Sequence, residues 1–116
     1  MSKTIICDID GTLIQHKGNC VKQLLDKPEL LEGTLEKFIE WDRKGYNIIL
    51  ITGRRESTRE ATENQLSSLG IFYDHLIMGV GGGCRVLIND LKVGSTEATA
   101  SSINIERNKG IKDVEI

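Results

Sequence analysis

Short runs of apolar residues recur along the chain and are separated by longer polar or amphipathic stretches. These runs are continuous rather than alternating, and most are rich in β-branched residues, which is typical of strands buried on both faces of a sheet. The pattern predicts four strands, of which the third is the weakest: Thr4–Cys7, Asn47–Ile51, His75–Met78 and Arg85–Ile88.

Two of the intervening stretches have the pattern of helices. Thr34–Lys44 carries apolar residues at helical spacing and is followed by Gly45, in the position where glycine commonly ends a helix. Ser57–Leu69 is polar with a thin apolar stripe, and Gly70 stops it. Strands that alternate with helices indicate βαβ units, so the predicted fold class is α/β: a Rossmann-like parallel sheet sandwiched by helices.

The remaining segments are less regular. Residues 15–32 are broken by glycine and proline, and we interpret them as a flap or loop over the tip of the first strand. Residues 93–116 form a C-terminal tail, in which Ser102–Ile105 alternates like an edge strand. A chain of 116 residues has room for one domain, 1–116, and none for a separate cap domain.

Composition narrows the classes of partner. The net charge of −2 and the aromatic content of 4% argue against nucleic acid and against a membrane surface as partners. The three cysteines are odd in number and share no metal-ligand spacing, which indicates reduced thiols and a cytoplasmic protein. The chain begins with Met1-Ser2-Lys3 and enters a strand directly, so we expect no secretory signal.

Polar residues follow each predicted strand at its carboxyl end, where parallel sheets form their sites. Carboxylates, a hydroxyl, a guanidinium and free backbone amides are therefore expected at one edge of the sheet. They come from Asp8 and Asp10, from Thr52-Gly53-Arg54, from the glycine loop at 79–83 and from Asn89-Asp90.

These residue types suit phosphoryl transfer. Asp8, Asp10 and Asp90 would repel one another unless a cation held them, and Mg²⁺ prefers such hard oxygen ligands. One carboxylate can attack phosphorus and a second can move the proton. The hydroxyl of Thr52 and the amides that follow it can hold phosphoryl oxygens, although a cap of the next helix is the alternative for Thr52.

Three motifs, in their order and spacing, resemble the haloacid dehalogenase superfamily of phosphatases. Asp8-Ile9-Asp10-Gly11-Thr12 resembles motif one, the strand that ends in Thr52-Gly53-Arg54 resembles motif two, and Val86–Asp90 resembles motif four. The resemblance implies that Asp8 is the nucleophile, that Asp10 is the general acid and base, and that Thr52 binds the phosphoryl group. We take Gly11, Gly53 and Arg54 as the candidate phosphate-binding residues, with a solvated position as the alternative for Arg54.

The resemblance also implies a metal site and a strand order. Mg²⁺ would be held by the Asp8 carboxylate, the main-chain carbonyl of Asp10 and the Asp90 carboxylate. The first strand would be central, between the second and the fourth. The motif-three lysine of the family has no counterpart at 79–85, so Arg85 or Lys92 is left as its substitute, and Asn89 replaces the first acid of motif four.

We therefore expect a small, capless, Mg²⁺-dependent phosphatase that acts through an aspartyl-phosphate at Asp8. Short chains of this type resemble the phosphatases of capsule and surface-polysaccharide synthesis, which favours a sugar phosphate as the small-molecule substrate. A site without a cap admits a large substrate, or a small one whose pocket a second subunit of a homo-oligomer completes. The alternatives are a non-catalytic module that binds phosphate or sugar phosphate, and a nucleotide phosphatase.

Overall fold

A computed structural model describes residues 2–116. The elements run along the chain in the order β1 (Thr4–Asp8), α1 (Cys20–Leu25), α2 (Thr34–Arg43), β2 (Asn47–Ile51), a 3₁₀ turn (Glu56–Thr58), α3 (Arg59–Ser68) and β3 (His75–Ile77). Both predicted helices and the first three predicted strands are present, with ends within about two residues of those expected from the pattern. Among residues 2–116, no helix combines the length and the apolarity needed to span a bilayer.

The three strands form one parallel sheet in the order β1-β2-β3. Ile6 of β1 is opposite Ile49 of β2, and Leu50 of β2 is opposite Leu76 of β3. This confirms the predicted fold class, a parallel sheet flanked by helices without a separate cap domain in the described residues. The predicted central position of the first strand is wrong, because β1 lies at an edge of the sheet.

The predicted fourth strand, Arg85–Ile88, does not form, and residues 79–116 contain no helix or strand. Val86 is 79% exposed and Ile88 is 92% exposed, so this run contributes nothing to the core. A glycine-rich loop precedes it, and ordering such a loop has a high cost in backbone entropy, which works against pairing with a strand nearly eighty positions away. The edge strand expected at Ser102–Ile105 is also absent.

The core lies on the sheet face that carries Cys7, Leu50 and Leu76, all of which are buried. Their neighbours in sequence point the other way, and Ile6 and Ile77 are each about half exposed. Helix α2 contributes Phe38 and Trp41 to the core, and α3 contributes Leu66, since an amphipathic helix buries its apolar stripe. The motif-one segment adds Ile9, Leu13 and Ile14, each fully buried.

The predicted flap, residues 15–32, is a closed loop that contains α1. Its two ends are joined, because the Gln15 amide donates to the Glu29 carbonyl at 2.9 Å and the Leu31 amide donates to the Leu13 carbonyl at 2.9 Å. The side chain of Gln65, on α3, donates to the main-chain carbonyl of the buried Gln23 at 2.9 Å. The loop is thus closed at its base, next to Leu13, and fastened to α3.

The C-terminal tail docks against the start of α2 although it has no regular structure. The Glu32 carbonyl accepts hydrogen bonds from the amides of Ile111 and Lys112, at 2.9 and 3.1 Å, and Ile111 is 3% exposed. Gly110 has φ +92°, and a Cβ built on it would lie 2.5 Å from the Glu32 carbonyl oxygen. Only glycine therefore allows the two backbones to come this close.

This contact makes Gly110→Ala a test of tail docking. Any alanine at positive φ costs about 1–2 kcal/mol, and the clash with Glu32 should add a further ~1–3 kcal/mol to the loss in free energy of unfolding. The control is Gly94→Ala, because Gly94 has φ +79° but open space around it. Chemical denaturation of both variants measures the difference, and equal losses would contradict the docked position of the tail.

Candidate active site

The motif-one turn leaves the tip of β1 and folds back at once. Asp8 is the last residue of β1, and the carbonyl of Ile9 accepts the amides of Thr12, Leu13 and Ile14 at 2.8–3.2 Å. Gly11 has φ +88°, which favours glycine, and its amide donates to the Ile14 carbonyl at 2.7 Å. Gly11 is thus a turn residue, and in this conformation its amide is not available to a phosphate.

Asp10 is held by Arg54 in a two-bond ion pair. Arg54 Nε donates to Asp10 Oδ2 at 2.8 Å and Arg54 Nη2 donates to Asp10 Oδ1 at 2.7 Å. The Arg54 side chain is only 5% exposed, and its Nη1 also donates to the hydroxyl of Thr62 on α3 at 3.3 Å. Such a planar pair fixes both side chains in one geometry. Because both oxygens of Asp10 are engaged, acid–base work by Asp10 requires the pair to open.

The ends of β2 and β3 continue to pair beyond the sheet. The Val80 amide donates to the Thr52 carbonyl at 3.0 Å, and the Gly79 amide donates to the Arg54 carbonyl at 2.8 Å. A Cβ on Gly53 would lie 3.2 Å from the Val80 carbonyl oxygen, so the glycine loop packs closely on the motif-two turn. Gly53 is exposed, and its amide makes no hydrogen bond with residues 2–116, so this amide can donate to an anion.

Thr52 has a structural role in this turn. Its hydroxyl oxygen accepts the Arg54 amide at 3.0 Å, and the residue is 1% exposed. A hydroxyl that accepts the amide two residues later stabilises a turn, and the helix cap given as the alternative for Thr52 is not formed, because Arg55 and Thr58 hold the cap positions of the 3₁₀ turn and of α3. Its contact with a phosphoryl group stays a prediction.

Arg85 lies against the predicted nucleophile. Its Nη1 donates to Asp8 Oδ1 at 3.1 Å, and the two side chains are 34% and 38% exposed. Arg85 was one of two candidates for the cation that motif three lacks. Lys92, the other candidate, makes no contact with Asp8 or Asp10 among the described hydrogen bonds and ion pairs.

The structure does not bring Asp90 to the other two acids. Asp90 lies in the exposed irregular segment, and its carbonyl accepts the hydroxyl of Thr99. Residues 2–116 contain no group of three or more acidic, histidine or cysteine side chains that could hold a metal ion. The predicted metal set of Asp8, Asp10 and Asp90 is therefore not assembled, because the strand that should carry Asp90 to β1 does not form. The two remaining carboxylates face guanidinium groups, so the residues present do not fit Mg²⁺.

Cys7 precedes the predicted nucleophile but is not a second one. Burial, and to a smaller extent the neighbouring Asp8 charge, raise the pKa of the Cys7 thiol to about 12. A neutral thiol is a poor nucleophile, so Cys7 packs as a small apolar side chain.

Sequence reasoning missed the tail as part of this region. The Asn108 amide donates to the Gly11 carbonyl at 2.9 Å, and Asn108 Oδ1 accepts the His16 amide at 2.7 Å. Arg107 lies on Gly11, with its Cγ 3.3 Å from the position a Cβ there would occupy. The sequence did contain one sign that the tail is ordered, namely the turn-forming residues Asn108 and Gly110.

Comparison with known proteins finds similarity to solved structures, among them two chains from Pnkp1/Rnl/Hen1 complexes. A chain in the structure of the Pnkp1/Rnl/Hen1 RNA repair complex aligns with a TM-score of 0.57 and 34% identity over 66% of this chain. A chain in a structure of the Pnkp1/Rnl/Hen1 complex aligns with a TM-score of 0.59 and 32% identity over 74% of this chain. The alignments span 25% and 31% of those chains. No family model and no curated protein matches the chain.

The ion pair of Asp10 and Arg54 generates a first prediction for this site. Arg54→Met and Asp10→Asn should each lower the free energy of unfolding by about 2–4 kcal/mol, since each leaves a largely buried partner unsatisfied. The double variant should lose less than the sum of the two, by about 1 kcal/mol or more, because its partners interact directly. Denaturation of all four proteins measures the coupling.

The matched control is the exposed pair of Arg59 and Glu56, joined at 2.6 Å on the surface of α3 and its preceding turn. Solvent screens that pair, so the cycle of Arg59→Met and Glu56→Gln should show little coupling. Additive losses at Asp10 and Arg54 would contradict their pairing.

A second prediction concerns the three free thiols. Cys20 and Cys84 are exposed and should react promptly with an aromatic disulfide reagent at pH 8. Because its pKa is raised, Cys7 remains protonated at that pH, and because it is buried the reagent does not reach it, so it should react only after denaturation. Cys7→Ser should remove the slow thiol alone. Three fast thiols in the folded protein would contradict the burial of β1.

Proposed function

We propose that the chain is a phosphomonoester hydrolase that uses Asp8 as its nucleophile. The observation that carries this proposal is the pairing at the tip of β1, where the Asp8 carboxylate faces Arg85 while Asp10 faces Arg54. Two carboxylates, each beside a guanidinium, match the needs of a reaction that transfers an anionic group to an anionic nucleophile. The resemblance of three motifs to haloacid dehalogenase phosphatases supports the same assignment.

The reaction proceeds in two steps. A carboxylate oxygen of Asp8 forms a bond to phosphorus as the bond to the ester oxygen breaks, and Asp10, once it carries a proton, gives that proton to the leaving alcohol. Water then attacks the phosphorus of the aspartyl-phosphate, loses a proton to Asp10 and releases phosphate and the Asp8 carboxylate. Arg85 offsets negative charge at Asp8, and the free amide of Gly53 can bind a phosphoryl oxygen.

Arg54 controls the proton chemistry in this scheme. Both oxygens of Asp10 accept from Arg54, so proton transfer requires at least one of these bonds to lengthen. An incoming phosphoryl group offers Arg54 a second anion, and rotation of the guanidinium toward it would release one oxygen of Asp10.

The predicted requirement for Mg²⁺ is a separate question, because Asp8, Asp10 and Asp90 do not assemble a metal site in this structure. Activity measured with Mg²⁺ and with a chelator tests this requirement.

Two substrate classes follow from different observations. A sugar phosphate rests on resemblance to small capless phosphatases alone, which is an analogy between folds. A phosphorylated end of a nucleic acid is favoured by the comparisons, since a similar chain belongs to an RNA repair complex. The expectation that nucleic acid is not a partner rested on the net charge and the low aromatic content, and the comparisons do not support it. Both similar chains occur in protein complexes, which favours association with other subunits.

Hydrolysis of a generic aryl phosphate tests the chemistry without assuming a substrate. Asp8→Asn should lower kcat by at least about a thousandfold, because the nucleophile is lost. The control is Asp42→Asn, which removes the same charge from the exposed side of α2. Both variants should keep the thermal midpoint of the parent, so that a loss of activity reports on chemistry.

Two outcomes would contradict the proposal. Equal activity of Asp8→Asn and the parent would place the nucleophile elsewhere. No turnover by the parent on aryl phosphate or on a broad panel of phosphate esters, with Mg²⁺ supplied, would favour the non-catalytic binding module instead.

A further inference from the structure

We infer that Arg107, in the C-terminal tail, binds a second phosphate group of the substrate, next to the phosphate that Asp8 attacks. The inference rests on the proposed phosphatase function and deepens it by naming a feature of the substrate. The group recognised is an additional phosphate, either a free one or the diester of a polynucleotide backbone. A substrate with a single phosphate would not use Arg107.

Arg107 lies against Gly11, which is next to Asp10 in the chain. A Cβ at Gly11 would lie 3.3 Å from Arg107 Cγ, 3.9 Å from Arg107 Nε and 3.6 Å from the Cβ of His16. The stem of Arg107 therefore lies directly on the motif-one turn, and His16 flanks the same glycine. A side chain at position 11 would push Arg107 away from this turn.

The tail is anchored immediately after Arg107, which limits where the Arg107 side chain can lie. Asn108 donates its amide to the Gly11 carbonyl and accepts the His16 amide, and it does so with φ +64°, a conformation that asparagine tolerates better than most residues. Further along, the amides of Ile111 and Lys112 both donate to the Glu32 carbonyl. A preorganised cation binds an anion at a lower entropic cost than a free one.

The positive charge of Arg107 is not neutralised by an acidic side chain of the described residues. Arg54 and Arg85 are paired with Asp10 and Asp8, whereas Arg107 forms no ion pair or side-chain hydrogen bond with residues 2–116. The residue is exposed, so its guanidinium is open to a ligand. Guanidinium groups bind phosphate with two parallel hydrogen bonds.

Arg54 and Arg85 already lie beside the two acids of the candidate site, so Arg107 is left to bind a different part of the substrate. The phosphate that reacts must approach Asp8, where Arg85 already lies, and Asp10, where Arg54 lies. Arg107 reaches the turn from the tail, on Gly11, one residue beyond Asp10. Its natural ligand is therefore an anionic group on the remainder of the substrate, and such contacts raise affinity for substrates that carry that group.

The test compares Arg107→Gln with the parent on four substrates: an aryl phosphate, a nucleoside monophosphate, the matching nucleoside 3′,5′-bisphosphate, and a short oligoribonucleotide with a terminal phosphate. Loss of a charge-assisted phosphate contact should lower kcat/KM by about tenfold or more, mainly through KM, on at least one of the last two. On the two substrates with one phosphate the change should stay below about twofold. An effect on the bisphosphate alone identifies a free phosphate, and an effect on the oligonucleotide identifies the diester.

Lys109→Gln is the matched control, because it removes one positive charge from the same exposed tail, two positions from Arg107. It should behave like the parent on all four substrates. Arg107→Lys should restore part of the loss, since it keeps the charge without the two-bond geometry. Equal losses for Arg107→Gln on all substrates, no loss on any, or the same pattern in Lys109→Gln would each overturn the inference.

Binding separates this inference from the proposed function. Titration of the bisphosphate and of a fluorescent oligoribonucleotide into Asp8→Asn, with and without Arg107→Gln, gives Kd without turnover. Weaker binding on loss of Arg107, in a protein whose parent hydrolyses nothing, would remove the phosphatase proposal and retain the anion site. Unchanged Kd in a protein whose parent is an active phosphatase would remove the anion site alone.

Discussion

The ion pair between Asp10 and Arg54 is the interaction on which the candidate site depends. Asp10 belongs to the turn after β1 and Arg54 to the turn after β2, so the pair joins the two loops that extend from neighbouring strands. The same guanidinium reaches Thr62 on α3. A side chain that is almost fully buried and bonded on two sides cannot be exchanged for lysine without loss of geometry. The arrangement of the loops at this edge of the sheet therefore follows from one arginine.

The sequence was sufficient for those parts of the fold that depend on local patterns. Continuous apolar runs identified β1 and β2, and the helical stripe that includes Phe38 identified α2, because burial of an apolar face dominates both choices. The same reasoning failed at Arg85–Ile88. Pairing of that run depends on distant partners and on the entropy of the loop before it, and neither can be read from a short window of sequence.

In the candidate site, too, some features follow from local sequence and others depend on contacts between distant segments. Motif one, at the end of an apolar strand, gave Asp8 and Asp10 as candidate site residues, but their cationic partners could not be predicted. Arg54 had a solvated position as its alternative, and Arg85 and Lys92 were both candidates for the missing cation. Which arginine pairs with which carboxylate depends on the tertiary fold. The contact of the tail with Gly11 had only a weak signal in the sequence, because the hydrogen bond that joins Asn108 to Gly11 is between main-chain groups, which leave little trace in residue type.

The docking of the tail on the motif-one turn has a consequence for the order of synthesis. His16 and Asn108 are 92 positions apart, yet they exchange hydrogen bonds. The ribosome makes Asp8 and Asp10 long before it makes the segment that secures their turn. A nascent chain can thus expose Asp8 and Asp10 without the support that the tail supplies. The contact with Asn108 can form only after that residue has been made, so the motif-one turn should reach its final arrangement after the strands of the sheet have been synthesised.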